Sequence, residues 1–182
     1  MLTALFLVGV ALQAVSGILM HHHGAGWSAA SVAAYYRGDE PVAGSEATTD
    51  DAAVERMFAL GDDAPSAAPP VRVARSWGTL LEVAHFHLAA MPILIFVVAH
   101  LFSMAPLGRT RWAGVLCYVS FLCALVDVLT PFAIRYGSAA FAPLKLAAFI
   151  GLEASLLAMI AGTLVPGLIA LFGRTRADTR SD

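Results

Sequence analysis

Apolar residues fill four long stretches of the chain, and polar residues gather between and after them. The stretches cover residues 2–20, 80–102, 112–129 and 143–165. Each is close to the about 20 residues with which a helix crosses the hydrocarbon core of a bilayer. The pattern predicts an all-α fold, an integral membrane four-helix bundle, with residues 1–182 forming a single membrane domain.

The first stretch starts without a lysine or arginine, although a signal peptide normally carries one before its apolar core. We therefore predict an uncleaved helix over 2–20 rather than a leader that is removed near Gly17. Gln13 is the polar residue inside this stretch. A hydrogen bond to a neighbouring helix is the expected role of such a side chain.

Residues 24–78 form a mostly polar, acidic connection between helices 1 and 2 of the bundle. Ser28 is a suitable N-cap for a short helix over 29–36, which Gly38 ends. A second short helix is expected over 52–60. Aromatic side chains suited to the membrane–water interface accompany the first short helix: Trp27, Tyr35 and Tyr36.

Four of the nine prolines mark predicted bends and ends of the spans. Pro92 lies in the middle of the second span, where it is expected to kink the helix. Pro131 begins the connection after the third span, and Pro143 opens the fourth helix at a favoured first-turn position. Pro166 is expected to bend or end that helix.

Hydrophobic residues make up 59% of the chain and charged residues 13%, with a mean hydropathy of +0.75. Soluble globular proteins carry about 25% charged residues, so the lipid bilayer is the expected surroundings. The net charge of −2 gives no basis for nucleic-acid binding. Cys117 and Cys123 are interpreted as small buried residues, and Gly151 and Ser155 form a small-xxx-small pair that favours close helix packing.

Arginines gather on one side of the predicted membrane. Arg109 and Arg111 occupy the short loop between spans 2 and 3, and three more arginines lie in the C-terminal tail. With four spans, this loop and both termini share one side, which the positive-inside rule assigns to the cytoplasm. The expected localisation is a bacterial inner membrane, with residues 24–78 in the periplasm.

The second span carries three of the six histidines and a glutamate, and ionisable groups inside a span indicate function. At about 100° per residue, Glu82, His85 and His100 share one face of the helix, and His87 points the other way. His85 and His100 are about 22 Å apart along the axis, at about 1.5 Å per residue. One of them therefore lies near each membrane surface.

The other three histidines end the first span, at the surface where the second span begins: His21, His22 and His23. Imidazole is the commonest metal ligand in proteins, and histidines from two helices at one depth suit the iron of haem b. We predict that His85 and one first-span histidine bind this cofactor, with Glu82 accepting a ring N–H. His87 is then a spare that faces lipid headgroups or another subunit.

The predicted function is therefore electron transfer or redox sensing in the membrane, with a redox protein or a second copy of the chain as partner. His100 is a further candidate ligand, although an inner haem needs a methionine or a neighbouring subunit as its second ligand. A Cu or Zn site for transport or assembly is one alternative, built from His85, His87, His22 and Glu82. A structural subunit without a cofactor is another, and enzymatic activity is left open.

Three charged residues lie inside the later spans. Asp127 and Lys145 are both near the outer surface, and we predict a structural ion pair between them. Glu153 lies near the bilayer midplane without an obvious cation, so we expect a neutral carboxyl, because burial disfavours the charged form. It either hydrogen-bonds to Gln13 or serves as a step in a proton path.

Four segments carry a resemblance to other proteins: YYRGDE, LLEVAHFHLAAMP, AHLF and LTPFAIRYGSAAFAPLKL. On these segments the chain is similar to an uncharacterised family of small four-helix bacterial membrane proteins, and the similarity covers most of the chain. It implies the four-helix membrane fold and brings no established activity or binding residue. The histidines in a bundle also resemble the arrangement in four-helix b-type cytochromes.

Overall fold

The structure is a computed structural model that describes residues 2–38 and 72–178, without the side chains of 167, 168 and 170–178. Its helices are α1 (Leu2–Gly24), α2 (Ala29–Arg37), α3 (Trp77–Met104), α4 (Arg111–Phe132) and α5 (Ala142–Asp178). The described part contains no strand, and its shorter elements are a π-helical turn and two 3₁₀ turns: Ala133–Gly137, Leu107–Arg109 and Ala139–Phe141.

Four of these helices, α1, α3, α4 and α5, are long and apolar enough to cross a membrane. This confirms the predicted all-α membrane bundle with its four spans. Because the chain changes direction with each span, the C-terminal ends of α1 and α4 and the N-terminal ends of α3 and α5 share one end of the bundle. The short helix α2 packs there as well, and we call this the α2 end.

The short helix predicted after Ser28 is α2. The Ser28 hydroxyl accepts a hydrogen bond from the Ser31 N–H at 3.0 Å, and the Ser31 hydroxyl accepts one from the Ser28 N–H at 3.2 Å. This reciprocal capping box satisfies two backbone donors that the helix itself leaves free. Gly38 ends the helix with a φ of 79°. The second predicted short helix, over 52–60, lies outside the described residues.

Two span ends differ from the prediction, both at prolines. α4 runs through Pro131 to Phe132 and continues as the π turn, so Pro131 does not begin a connection. α5 runs through Pro166 to Asp178, so of the two alternatives at Pro166, a bend or an end, the structure excludes the end. A proline removes one backbone hydrogen bond, and in a span neighbouring groups can replace it.

The interface between α4 and α5 is the largest in the bundle, and small residues make it close. The Ser120 hydroxyl donates to the Ser155 hydroxyl at 2.7 Å, and both serines are buried. Gly151 faces Cys123, and a Cβ on this glycine would lie 2.8 Å from the Cys123 sulfur. The small-xxx-small pair therefore has the packing role that the sequence predicts.

We expect Gly151→Leu to destabilise the bundle by about 1–3 kcal/mol, the usual effect of overpacking a filled core. Gly114 on α4 is the matched control, because a Cβ there meets nothing within 4 Å. Gly114→Leu should leave the free energy of unfolding unchanged. Denaturant unfolding in detergent micelles measures both, and equal effects of the two substitutions would contradict the close contact of α4 and α5.

The first span packs mainly against the last. α1 contributes Leu7 and Val10 to the buried core and contacts α5, with little or no contact with α3. This arrangement has a direct consequence for the histidines that end α1. They lie beside α5, rather than beside the histidines that begin α3.

Candidate functional site at the α2 end

A chamber of about 180 Å³ with a mostly apolar wall lies at the α2 end, between α2, α3, α4 and α5. One water needs about 10–15 Å³ of such a volume, so the chamber has room for several waters or one small molecule. Val83, Val128 and Pro131 are among the apolar residues of its wall. Its polar side chains come from four helices and the segment before α3: Tyr35, Tyr36, Arg75, Thr79, His87, Asp127 and Lys145.

A buried ion pair lines the chamber. Lys145 Nζ lies 2.5 Å from Asp127 Oδ1, and the two residues are only 7% and 6% exposed. The sequence predicts this pair. Lys145 Nζ also donates to the backbone carbonyl of Asp127 at 3.1 Å. That carbonyl stands four residues before Pro131, which has no N–H to offer it, so Lys145 replaces the missing helical hydrogen bond.

His87 is the histidine of α3 that reaches the chamber. Its Nδ1 lies 2.8 Å from the carbonyl oxygen of Val83. Because a carbonyl only accepts, Nδ1 carries the hydrogen and donates it, which leaves Nε2 free. The expectation that His87 faces lipid headgroups is wrong. The buried face of α3, with Leu80 and Ala84, turns this imidazole inward.

Two tyrosines of α2 cover the chamber. Burial raises the pKa of Tyr36 well above the ordinary value of a phenol, and the nearby charge of Asp127 raises it further. The Tyr36 hydroxyl therefore keeps its proton throughout the physiological range. The Arg75 guanidinium lies 4.5 Å from the centre of the Tyr35 ring, a cation–π contact. The sequence assigns both tyrosines to the membrane–water interface, whereas the structure places them in the chamber wall.

Two arginines hold this cover onto the end of α4. Arg37 of α2 donates to the carbonyl oxygens of Ile134 at 3.1 Å and Gly137 at 3.4 Å. Arg135 Nε donates to the carbonyl oxygen of Arg75 at 3.0 Å. Hydrogen bonds from a charged donor are the stronger kind. They fix α2 and the segment before α3 over the chamber.

Two buried polar side-chain atoms without a hydrogen-bond partner in the described part of the chain belong to His21 (Nε2) and Glu153 (Oε2). Both face the interface between α1 and α5. The His21 ring stacks on Phe149, with ring centres 4.2 Å apart. Gly17, one turn before His21, leaves room for the Glu153 carboxyl, because a Cβ there would lie 3.2 Å from Oε1.

These two groups lie along the stripe of α5 that begins with the lysine of the ion pair. Lys145, Phe149 and Glu153 follow each other at intervals of four residues, so they share a helix face. Lys145 and Glu153 are about 12 Å apart along the axis, at about 1.5 Å per residue, and His21 lies beside Phe149 between them. We call Lys145, His21 and Glu153 the polar seam.

The other candidate residues lie on exposed surfaces: Glu82, His85 and His100 on α3, His22 and His23 at the end of α1, and Gln13 in α1. His22 Nδ1 accepts a hydrogen bond from Trp27 Nε1 at 2.9 Å. Since α1 packs on α5, one subunit does not bring His85 and the first-span histidines together. Shared ligation of haem b by these residues stays a prediction. Gln13 makes none of the described hydrogen bonds, so its expected bond to Glu153 is wrong.

Metal ligands are not gathered in the described part. Among residues 2–38 and 72–178, no three side chains of His, Cys, Asp or Glu form a group that could hold a metal ion. The Cu or Zn alternative, with His85, His87, His22 and Glu82 as ligands, stays a prediction.

A family model described as a transmembrane helical domain matches residues 26–170, most of the chain. The chain belongs to this family of transmembrane helical domains. The finding confirms the resemblance to a family of helical membrane proteins, and it shows no likeness to b-type cytochromes. No curated protein and no solved structure matches the chain. The matched region of this transmembrane helical domain begins after α1, so it contains the whole chamber and Glu153, whereas His21 lies outside it.

Sequence reasoning missed three members of the site, Tyr36, Arg37 and Arg75. The signal for Tyr36 and Arg37 is the run YYRG at the end of α2, where two aromatic rings and a cation precede a helix-ending glycine. Arg37 reaches a carbonyl 97 residues further along the chain. A contact over that separation follows from the fold and from no local pattern.

Proposed function

We propose that the protein is a membrane-embedded proton-uptake protein, in which Glu153 holds a proton and exchanges it with water at the α2 end. One observation carries the proposal. His21 Nε2 and Glu153 Oε2 are buried on one helix interface without a partner among the described residues. A buried polar group without a partner costs about 1–3 kcal/mol, and chains of histidines and carboxyls inside membranes are typical of proton relays.

Each residue of the proposed proton path has a role that depends on its position in the bundle. The chamber admits water to the Asp127–Lys145 ion pair. This ion pair lies at the end of the polar seam that is nearest to the chamber. His21 takes a proton at Nε2 and passes it toward Oε2 of Glu153. Neutral imidazole suits this step because its unperturbed pKa lies close to neutral pH. Glu153 holds the proton because an apolar surrounding favours the neutral carboxyl.

The geometry supports uptake from one side of the membrane rather than conduction across it. Beyond Glu153, the next buried polar residue of α5 among those described is Ser155, which is bonded to Ser120 and to the carbonyl oxygen of Leu152. The seam therefore leads from the chamber to the middle of the bundle and stops there. A proton held at Glu153 is available to a reaction or a conformational step inside the membrane.

Exchange of the Glu153 proton for deuterium tests the path. We expect His21→Phe, which keeps the stacking on Phe149, to slow this exchange by about 10²-fold or more, the usual contribution of a positioned acid–base group. The readout is the isotope shift of the carboxyl C=O infrared band after transfer to D₂O. His85→Phe is the matched control, because His85 lies on the exposed face of α3. Equal exchange rates in both variants would refute the role of His21.

The side from which protons enter follows from the arginines. Arg109 and Arg111 lie at the bundle end opposite to α2, and we infer from the positive-inside rule that they are cytoplasmic. The chamber then opens to the periplasm of a bacterial inner membrane, and both termini are cytoplasmic. A reporter active only in the cytoplasm, fused to the C-terminus, should be active. If only a periplasmic reporter is active, protons enter from the other side.

Binding of haem b for electron transfer is a second candidate, favoured by one hydrogen bond. His87 Nδ1 donates to the Val83 carbonyl, and an imidazole held in this way presents Nε2 as a metal ligand. A chamber of about 180 Å³ is smaller than the about 300–1,000 Å³ of pockets for drug-sized ligands, so a macrocycle requires α2 to move outward. The purified protein should then show a Soret band that His87→Ala removes and His85→Ala retains. A colourless protein would exclude this candidate.

A further inference from the structure

One face of α3 is exposed along its length, although it carries ionisable residues. Its members are spaced alternately by three and four residues: Glu82, His85, Ala89, Pro92 and Phe96. We call this set the α3 stripe. The opposite face, with Ala84, Ile95 and Val98, is buried in the bundle. Alternating spacings of three and four residues are those at which two helices pack lengthwise against each other.

The two ionisable residues of the α3 stripe lie below the membrane surface. The span begins at Trp77, and at about 1.5 Å per residue Glu82 and His85 lie about 7.5 and 12 Å beyond it. In the described part of the chain neither side chain has an ion-pair or hydrogen-bond partner; the ion pair there joins Lys145 and Asp127. Hydrocarbon supplies no partner for a carboxylate or an imidazole, and this makes a lipid-facing position unfavourable for both.

We propose that the α3 stripe is a twofold interface with a second copy of this chain. A twofold axis along the membrane normal makes the stripe meet itself at one height, and Glu82 of each copy then lies within one turn of His85 of the other, close enough for a hydrogen bond between them. The pair is self-complementary, because each copy contributes one acidic and one basic partner. Two Glu82–His85 contacts form in the dimer, and residues one turn apart are neighbours across parallel helices.

The apolar part of the stripe suits the same interface. Ala89 and Pro92 lie near the middle of the span and are small, which allows the backbones of two α3 helices to approach closely. Phe96, one turn after Pro92, is 64% exposed in one subunit. In the dimer its ring packs against the second copy. The stripe lies on the opposite face of α3 from the buried core residues, so the dimer is independent of proton uptake through the polar seam.

Cysteine cross-linking in membranes tests the interface. In a Cys117→Ala, Cys123→Ala background, Ala89→Cys should form a disulfide-linked dimer on mild oxidation. Leu122→Cys is the matched control, because Leu122 is near the middle of α4 and 62% exposed. Cross-linking of Ala89→Cys no greater than that of the control would overturn the proposal, whether lipid, another protein or another segment of the chain covers the stripe.

A charge exchange tests the pairing itself. Glu82→His alone, in the Ala89→Cys background, places two histidines opposite each other and should reduce the dimer association constant by roughly tenfold, the effect of losing two polar contacts between spans. The double variant Glu82→His with His85→Glu restores both pairs and should recover the cross-linked fraction. Loss without recovery in the double variant, or no loss in the single variant, would overturn the assignment of Glu82 to His85 of the second copy.

Discussion

Replacing Lys145 by alanine is expected to lower the free energy of unfolding by about 3–5 kcal/mol, because it leaves the buried carboxylate of Asp127 without its cation. The same change removes the donor to the Asp127 carbonyl, which Pro131 cannot serve. Lys145 makes both contacts, and the other side-chain donor described at that carbonyl, the Thr130 hydroxyl, is farther away at 3.4 Å. Unfolding in detergent micelles measures the effect, and Arg111→Ala, at an exposed helix start, should be close to neutral.

Two combined variants separate the contributions of Lys145. Asp127→Leu with Lys145→Met removes both charges and should recover most of the loss, because apolar residues can replace a buried ion pair without penalty. A remainder of at most about 1–3 kcal/mol is expected, because the carbonyl of residue 127 then keeps only the long hydrogen bond from the Thr130 hydroxyl among the side-chain donors described. Adding Pro131→Ala restores a backbone N–H and should abolish this remainder. If Lys145→Ala alone is neutral, the ion pair does not hold the bundle together.

Glu153→Gln is expected to abolish proton uptake by the buried site while the protein still folds. Glutamine keeps the shape of the neutral acid and has no acidic proton, so the variant should bind fewer protons per chain than the wild type when alkaline protein is brought to neutral pH. An indicator dye in weakly buffered detergent solution measures the difference. A Gln variant that cannot be extracted folded, beside a folded Glu153→Asp, would instead indicate an ionised and paired Glu153.

The helices could be predicted from the sequence because each span is a long apolar run, and in a bilayer length and hydrophobicity are sufficient. The ends of the spans were less predictable where they contain prolines. Pro131 reads as the start of a connection, yet α4 continues, because Lys145 from the next span supplies the missing hydrogen bond. That donor is 18 residues from Asp127, whose carbonyl it serves, so the local pattern around Pro131 does not show it.

The orientation of α3 about its own axis was not predictable. Apolar residues lie on every face of the helix, so the apolar pattern could not show which face is buried. The helical spacing correctly predicts that His87 lies on a different face of α3 from Glu82 and His85. Only the packing of Leu80 and Ala84 shows that His87 faces the inside of the bundle. The same limit applies to α1, whose histidines lie at the expected depth but beside α5.

Parts of the site could be predicted from the sequence because their chemistry does not depend on how each helix is rotated about its axis. Asp127 and Lys145 are opposite charges at one depth on neighbouring spans, and the structure pairs them. Glu153 is a midplane carboxyl without a cation, and its Oε2 has no partner among the described residues. The relation of Glu153 to His21 depends on α1 packing against α5, which no pattern in the sequence indicates.

The infrared spectrum of the folded protein at neutral pH tests the central claim most directly. A protonated carboxyl has a C=O stretching band that an ionised carboxylate lacks. The wild type is expected to show this band, Glu153→Gln to lose it, and Asp127→Asn to retain it, because the Asp127 carboxyl group forms an ion pair with Lys145. A neutral-pH spectrum without a band that depends on Glu153 would contradict proton storage at this residue.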